Sequence, residues 1–134
     1  MRDYRVYIMS NQYHTVLYIG VTNDIGRRVL EHKSLLYEGF TKKYKCIELM
    51  YQKIFYTPED AICYEKTLKK FKRADKYALI LADNPFYRDL SLDFHPIFSA
   101  SLADIQTHVA QWPQTEQYLE NLRKLKGDLR GLKP

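Results

Sequence analysis

The segment YRVYIMSNQYHTVLYIGVTND, residues 4–24, is the most informative part of the sequence for predicting the fold. Residues 4–10 and 16–21 are rich in β-branched and aromatic side chains, and a polar segment of five residues separates them. This pattern predicts two strands joined as a β-hairpin. A helix is expected over residues 24–33, because side-chain oxygens of residues 22–24 can accept hydrogen bonds from the free amides of its first turn. Its buried side is expected to carry Ile25, Val29 and Leu36.

The sequence downstream of the hairpin predicts a third strand and two more helices. Residues 47–56, IELMYQKIFY, have the composition of a strand. TPED, residues 57–60, begins a helix because it combines a capping threonine, a proline in the first turn and an acid at the third helical position. Residues 73–83 continue as a further helix, which Asn84-Pro85 ends. The predicted fold class is therefore α+β, with a small three-stranded antiparallel sheet flanked by helices in the order β-β-α-β-α-α.

The remaining sequence is less regular. Residues 35–45 lack a clean period and are interpreted as a loop or a broken helix. Beyond residue 92 the composition shifts, and helices are predicted over residues 98–112 and 114–130. We divide the chain into a domain of residues 1–92 and a C-terminal extension of residues 93–134. The extension is expected either to pack on that domain or to mediate homodimer formation.

The positive charge is concentrated in the first part of the chain. Residues 1–76 hold fifteen Lys and Arg against nine Asp and Glu, whereas residues 77–134 hold six against seven. Such a surplus suits a polyanionic partner, because each neutralised phosphate releases condensed counterions. The distribution of charge therefore favours nucleic acid as the partner.

Membrane and export signals are missing from the sequence pattern. No apolar run approaches the roughly 20 residues that span a bilayer, and Asp3 and Arg5 interrupt the N-terminus before a signal-peptide core could form. Cys46 and Cys63 lack CxxC spacing and a His-rich neighbourhood, so we expect two buried thiols rather than a zinc site. Together these features predict a cytoplasmic protein that does not enter a membrane.

Five residues are candidates for chemistry. Tyr7 and Tyr18 stand eleven residues apart on the two hairpin strands. Arg28 and His32 are four residues apart, so both project from one face of the first helix. Glu65 lies at the margin of the apolar stripe of the helix that begins at residue 58. The structural alternatives are strand packing for the tyrosines, a solvated basic face for Arg28 and His32, and an ion pair with a nearby lysine for Glu65.

Together these residues resemble the signature of the GIY-YIG nuclease superfamily. RVY, residues 5–7, stands in place of the first motif, and YIG, residues 18–20, matches the second. NPFYRDL, residues 84–90, is similar to a motif that closes the catalytic domain in a bacterial branch of small stand-alone proteins. The resemblance covers about residues 4–92. It implies an endonuclease that hydrolyses phosphodiester bonds in DNA, with single-stranded DNA and RNA as open alternatives.

The resemblance also implies a role for each candidate residue. Tyr7 would act as the general base, with its phenolate favoured by Arg27, Arg28 or His32. Tyr18 would orient water or phosphate, Arg28 would bind phosphate, and His32 would relay a proton or bind phosphate. Glu65 would be the direct protein ligand of Mg²⁺ or Mn²⁺ in a one-metal mechanism. Gly20 would let the backbone approach substrate or turn into the helix, and Asn84 would serve the site or cap a helix.

A second set of residues is expected to hold the nucleic-acid backbone. These basic residues are Lys42, Lys43, Lys45, Lys69, Lys70 and Arg73. Phe40 and Tyr44 lie among them and could either stack on bases or pack in the core. Two other functions stay open on the sequence alone: a non-catalytic nucleic-acid-binding module with the same fold, and a protein-interaction domain that uses the C-terminal extension.

Overall fold

A computed structural model describes residues 3–112 and confirms the predicted α+β fold. Three strands, β1 (Tyr4–Ser10), β2 (Leu17–Thr22) and β3 (Glu48–Phe55), form one antiparallel sheet in the order β2-β1-β3. As the middle strand, β1 has five consecutive buried residues, 6–10, whereas the longest buried runs of β2 and β3 are residues 19–20 and 49–51. The predicted hairpin is therefore correct, and β3 pairs on its other side.

Helices surround the sheet, and side-chain caps fix where three of the α-helices begin. The α-helices are α1 (Ile25–Ser34), α2 (Phe40–Lys43), α3 (Pro58–Lys70), α4 (Arg73–Asp83) and α5 (Leu102–Ala110). Short 3₁₀ helices cover Leu90–Asp93 and Pro96–Ser99. The carboxylate of Asp24 accepts a hydrogen bond from the amide of Arg27, and the hydroxyl of Thr57 accepts one from the amide of Asp60, as their sequence positions predict.

The central strand contributes side chains to two hydrophobic clusters, because successive strand side chains point to opposite faces of a sheet. One cluster contains Tyr7, Met9, Val29, Leu49, Phe98, Ile105 and Val109. The other contains Val6, Ile8, Ile19, Met50, Ala61, Leu68 and Ile80. Residues of α1 and α5 thus cover one face, and residues of α3 and α4 cover the other.

Three local expectations were wrong. Residues 98–112 do not form one helix, because Pro96 begins a separate 3₁₀ helix and the Ser101 hydroxyl caps α5 at the amide of Asp104. Leu36 is exposed, since α1 ends at Ser34 and the backbone turns away from it. Cys63 is exposed on α3, whereas Cys46 is buried and burial raises the pKa of its thiol to about 11.

The first part of the C-terminal extension packs against the core. Phe98, Ile105 and Val109 are buried in the same cluster as Val29 of α1. The helix predicted over residues 114–130 lies outside the described residues, so the boundary after residue 92 and a homodimer through the extension stay predictions. Among residues 3–112, no helix combines the length and the apolar character that crossing a lipid bilayer requires.

Candidate active site

The site is built around Tyr7, which lies on the central strand and is 1% exposed. Its neighbour across the hairpin is Gly20. A Cβ atom at Gly20 would lie 2.5 Å from the Tyr7 hydroxyl oxygen, so only glycine leaves room for this ring. Gly20 therefore accommodates the tyrosine that faces it, and it also lines the cavity beside Tyr7, so its expected approach to substrate stays a prediction.

The Tyr7 hydroxyl joins a buried chain of polar side chains. It lies 3.0 Å from Nε2 of His32, and Nδ1 of His32 lies 2.8 Å from the hydroxyl oxygen of Thr41. The Nε of Arg28 donates a hydrogen bond of 3.3 Å to the same Tyr7 oxygen. A hydroxyl that accepts from Arg28 can donate its own proton to Nε2 of His32, and Nδ1–H of His32 then donates to Thr41.

Burial and positive charge act on the Tyr7 hydroxyl in opposite directions. Burial raises the pKa of Tyr7 above its ordinary value, and this effect outweighs the lowering that Arg28 causes through its charge and its hydrogen bond. Arg28 therefore acts on Tyr7 in the expected direction, towards the phenolate, but burial is the larger effect in the protein alone. Arg27 is directed elsewhere, because its guanidinium carbon lies 4.8 Å from the centre of the Trp112 ring.

Glu31 is a site residue that the sequence reasoning missed. Its side chain is fully buried, and its Oε1 lies 3.4 Å from Nη1 of Arg28. Arg28 is thus held from two sides, by Glu31 and by the Tyr7 oxygen. The interaction with Tyr7 and Glu31 raises the pKa of Arg28 despite the opposing effect of burial, so its charge is secure. The spacing of three residues on one helix was the available signal.

A cavity of about 260 Å³ opens beside these groups. Four of the five predicted catalytic residues line it: Tyr7, Tyr18, Arg28 and Glu65. His32 lies behind Tyr7 and reaches the cavity through that hydroxyl. The Glu65 side chain is 12% exposed and forms an ion pair with Lys69, one helical turn further along α3. The structure therefore brings together residues of β1, β2, α1 and α3 that are far apart in sequence.

The donor set around this cavity fits a hard divalent cation. Glu65 supplies a carboxylate oxygen, the ligand type that Mg²⁺ and Mn²⁺ prefer, and Mg²⁺ usually keeps several of its waters. A cavity of about 260 Å³ has room for them. Glu65 is the one carboxylate among the residues that line the cavity, and within residues 3–112 no group of three or more His, Cys, Asp or Glu side chains is placed to hold a metal ion.

The NPFYRDL segment anchors the backbone rather than lining the cavity. Asn84 is buried at the end of α4, where its side-chain amide donates to the carbonyls of Met50 and Arg88 and its oxygen accepts from the Arg88 amide. Asp89 forms a buried ion pair of 2.6 Å with Lys33 and also accepts a hydrogen bond from the amide of Leu49. Of the two predicted roles of Asn84, the structure supports the helix cap.

The six predicted backbone-binding residues divide into three groups. Lys69 lines the cavity and forms the ion pair with Glu65, whereas Lys45 and Lys70 are exposed on the surface. The others have partners within the protein: Lys42 pairs with Glu38, Lys43 lies over the Tyr44 ring, and Arg73 donates to the Thr15 carbonyl and the Tyr77 hydroxyl. The structure therefore places one of the six beside the candidate catalytic groups.

The protein is thus an α+β domain in which an arginine, a carboxylate and two tyrosines line one cavity. A family model described as the GIY-YIG catalytic domain matches residues 3–78, and the chain belongs to this family. Nuclease-type activity is what the family implies, and nucleic acid is the substrate that such activity implies.

Curated relatives carry the designation UPF0213. One from Staphylococcus saprophyticus is 34% identical over 64 residues, which cover 48% of this chain and 78% of the relative. Two from strains of Staphylococcus epidermidis are 31% identical over 64 residues with the same coverage. Their designation states no activity. No solved structure gave a significant match.

Proposed function

We propose that this protein is a metal-dependent endonuclease that hydrolyses phosphodiester bonds in DNA. The observation that carries the proposal is the meeting of the Tyr7 hydroxyl, the Arg28 guanidinium and the Glu65 carboxylate around one cavity. Phosphodiester hydrolysis needs a deprotonated water, neutralised charge on the phosphate and a stabilised leaving oxygen. These three side chains supply a base, a cation and a metal ligand. RNA is the alternative substrate, and the cytoplasm is the location that the sequence predicts.

The proton of the attacking water passes through Tyr7. The Tyr7 oxygen accepts that proton while its own hydroxyl proton moves to Nε2 of His32, 3.0 Å away. Because the hydroxyl gives up one proton as it gains another, no free phenolate is needed at a position where burial raises the pKa of Tyr7. The hydrogen bond from His32 to Thr41 holds the imidazole ring in the orientation for this transfer.

Arg28 supplies the positive charge. Its guanidinium is a planar, permanently charged fork that suits phosphate oxygens. Glu31 and Tyr7 fix its position before substrate arrives, so little side-chain freedom is lost on binding. A divalent cation held by Glu65 would supply Lewis-acid neutralisation of the scissile phosphate.

One observation favours a second candidate function, a nucleic-acid-binding module without catalysis. Lys69 forms an ion pair with Glu65 in this structure and so competes with a cation for the carboxylate. If that pair persists when substrate is bound, the cavity would hold phosphate without cutting it. The full set of Tyr7, Arg28, His32 and Glu65 argues for the enzyme, because binding alone does not require a buried proton path.

The test is cleavage of labelled DNA, single-stranded and duplex, and of RNA in parallel, with Mg²⁺, with Mn²⁺ and with EDTA. We expect cutting of DNA that needs the metal and stops with EDTA. Cutting that continues in EDTA would contradict the metal-dependent mechanism. Salt-sensitive binding with no cutting under any of these conditions would establish the binding module instead.

A further inference from the structure

A second cavity of about 300 Å³ adjoins the candidate catalytic cavity. It is lined by Leu17, Tyr18, Ile19, Phe40, Lys69 and Lys76. Three of these residues, Tyr18, Ile19 and Lys69, line the catalytic cavity as well. The two cavities are therefore adjacent, and a strand whose phosphate occupies the first could place its neighbouring group in the second.

Three aromatic rings lie in a row that begins at Tyr18, which lines both cavities. The Phe40 ring stacks on Tyr18, with centroids 5.9 Å apart and planes at 28°, and Tyr44 follows at 4.6 Å from Phe40. Phe40 is 44% exposed and Tyr44 is 41% exposed. Core packing, one of the two alternatives for these rings, is thus wrong. Exposed rings that contact one another beside a cavity form a contiguous apolar patch, which is the kind of surface that marks a binding site.

The position of Phe40 is fixed by the same contacts that hold the candidate catalytic residues. Phe40 begins α2 directly after Gly39, whose φ of 136° favours glycine. The next residue, Thr41, binds Nδ1 of His32 through its hydroxyl and accepts a hydrogen bond from the Cys46 amide at its carbonyl. The Phe40 ring is therefore held in position before any ligand binds, which lowers the entropic cost of stacking a base on it.

The charges around the rings identify the ligand chemistry. Lys69 and Lys76 line the second cavity, and the Lys43 ammonium lies 5.3 Å from the centre of the Tyr44 ring. An apolar ligand would not require the lysines, and a simple anion would not require the rings. A flat aromatic group attached to phosphates satisfies both, and a nucleotide has this combination.

We propose that the second cavity is a nucleobase subsite. An unpaired base next to the scissile phosphate stacks on Phe40, while Lys69 and Lys76 contact the phosphates on its flanks. The inference rests on the proposed nuclease function for the placement of the phosphate. It defines the substrate class further: a strand with at least one unpaired nucleotide beside the cut, because a base paired within a duplex keeps its faces covered by its neighbours.

The test measures binding of a labelled single-stranded oligodeoxynucleotide and of its duplex, both in EDTA so that neither is cut. The variants are Phe40→Ala, Phe40→Trp and, as a matched control, Phe86→Ala, since Phe86 is 88% exposed in the turn after α4. We expect Phe40→Ala to weaken single-strand binding by about ten-fold or more. Phe40→Trp and Phe86→Ala should bind like the wild type, and duplex binding should not change in any variant. Thermal unfolding of each variant confirms that it is folded.

Three results would overturn the subsite, and they differ in what they mean for the enzyme. Unchanged single-strand binding in Phe40→Ala, or equal weakening for strand and duplex, refutes the subsite alone if metal-dependent cleavage persists. Failure of the wild type to bind any nucleic acid refutes the subsite and the proposed function together.

Discussion

The hydroxyl of Tyr7 and Nε2 of His32 are joined by a buried hydrogen bond of 3.0 Å. This bond links the first strand of the hairpin to the last turn of α1, and Thr41 extends it to α2 on the far side of the imidazole. The polar chain thus connects the candidate base, its proton acceptor and the helix that carries Phe40. Fold and proposed chemistry depend on the same few contacts.

Gly20→Ala should displace the Tyr7 ring from its position in the candidate active site. The new Cβ would lie 2.5 Å from the Tyr7 hydroxyl oxygen, so the ring must move and its bonds to His32 and Arg28 must break. We expect a loss of about 1–3 kcal/mol in the free energy of unfolding, as overpacking usually causes. Urea unfolding measures this loss, and a nuclease assay should show that cleavage falls with it.

Gly26→Ala is the control for that experiment. A Cβ at Gly26 would meet its nearest neighbours at 3.9 Å and 4.0 Å, which are ordinary contacts, and the residue lies in α1. Alanine there should stabilise the protein by about 0.5–1 kcal/mol, because glycine disfavours helix. Equal destabilisation by the two substitutions would contradict the role assigned to Gly20.

The stability of the protein should depend on the ionisation of Tyr7 at alkaline pH. Burial raises the pKa of Tyr7 in the folded state, so folding favours the neutral hydroxyl. Its contribution is therefore complete below the unfolded pKa of about 10 and is lost as the pH rises above it. We expect the free energy of unfolding to fall by about 1.4 kcal/mol for each pH unit above 10 through this one group.

Tyr7→Phe isolates that contribution. Burial also raises the pKa of Tyr51, and this residue titrates identically in both proteins. The slope of unfolding free energy against pH should therefore be shallower in Tyr7→Phe than in the wild type, whatever its stability at neutral pH. Parallel slopes in urea unfolding above pH 10 would show that the Tyr7 hydroxyl is not buried as described.

The buried ion pair between Lys33 and Asp89 should be essential for the fold. Both side chains are 8% exposed, so Asp89→Ala would leave a buried ammonium without its carboxylate and cost about 3–5 kcal/mol. Asp93→Ala is the matched control, since Asp93 pairs with Arg88 on the surface and its loss should cost less than about 1 kcal/mol. Thermal or urea unfolding distinguishes the two, and similar losses would contradict the importance of the buried pair.

Local sequence signals predicted the elements well because their causes are local. The Thr57 cap, the hairpin loop and the stop at Asn84 each depend on a few neighbouring residues. Periodicity was less reliable where two short elements follow each other. The single helix expected over residues 98–112 failed, because a capping Ser101 divides that segment.

The sequence could indicate candidate site residues but not the contacts among them. Tyr7, Arg28 and Glu65 carry a family pattern that sequence can display, and the structure places all three at one cavity. Thr41 belongs to no such pattern, and its contact with His32 depends on the path of the backbone between α1 and α2. The raised pKa of Tyr7 was also out of reach, because burial of the hydroxyl depends on the packing of the whole sheet.

The most direct test of the nuclease centre compares Glu65→Gln with Glu59→Gln, an exposed acid in the first turn of the same helix. Single-turnover cleavage of DNA in Mg²⁺ is measured for both variants and the wild type, with DNA binding measured in parallel. We expect Glu65→Gln to lower the cleavage rate by at least about 100-fold while the variant still binds DNA. Glu59→Gln should change neither the cleavage rate nor DNA binding. Cleavage by Glu65→Gln at the wild-type rate would contradict the assignment of Glu65 and the metal-dependent mechanism built on it.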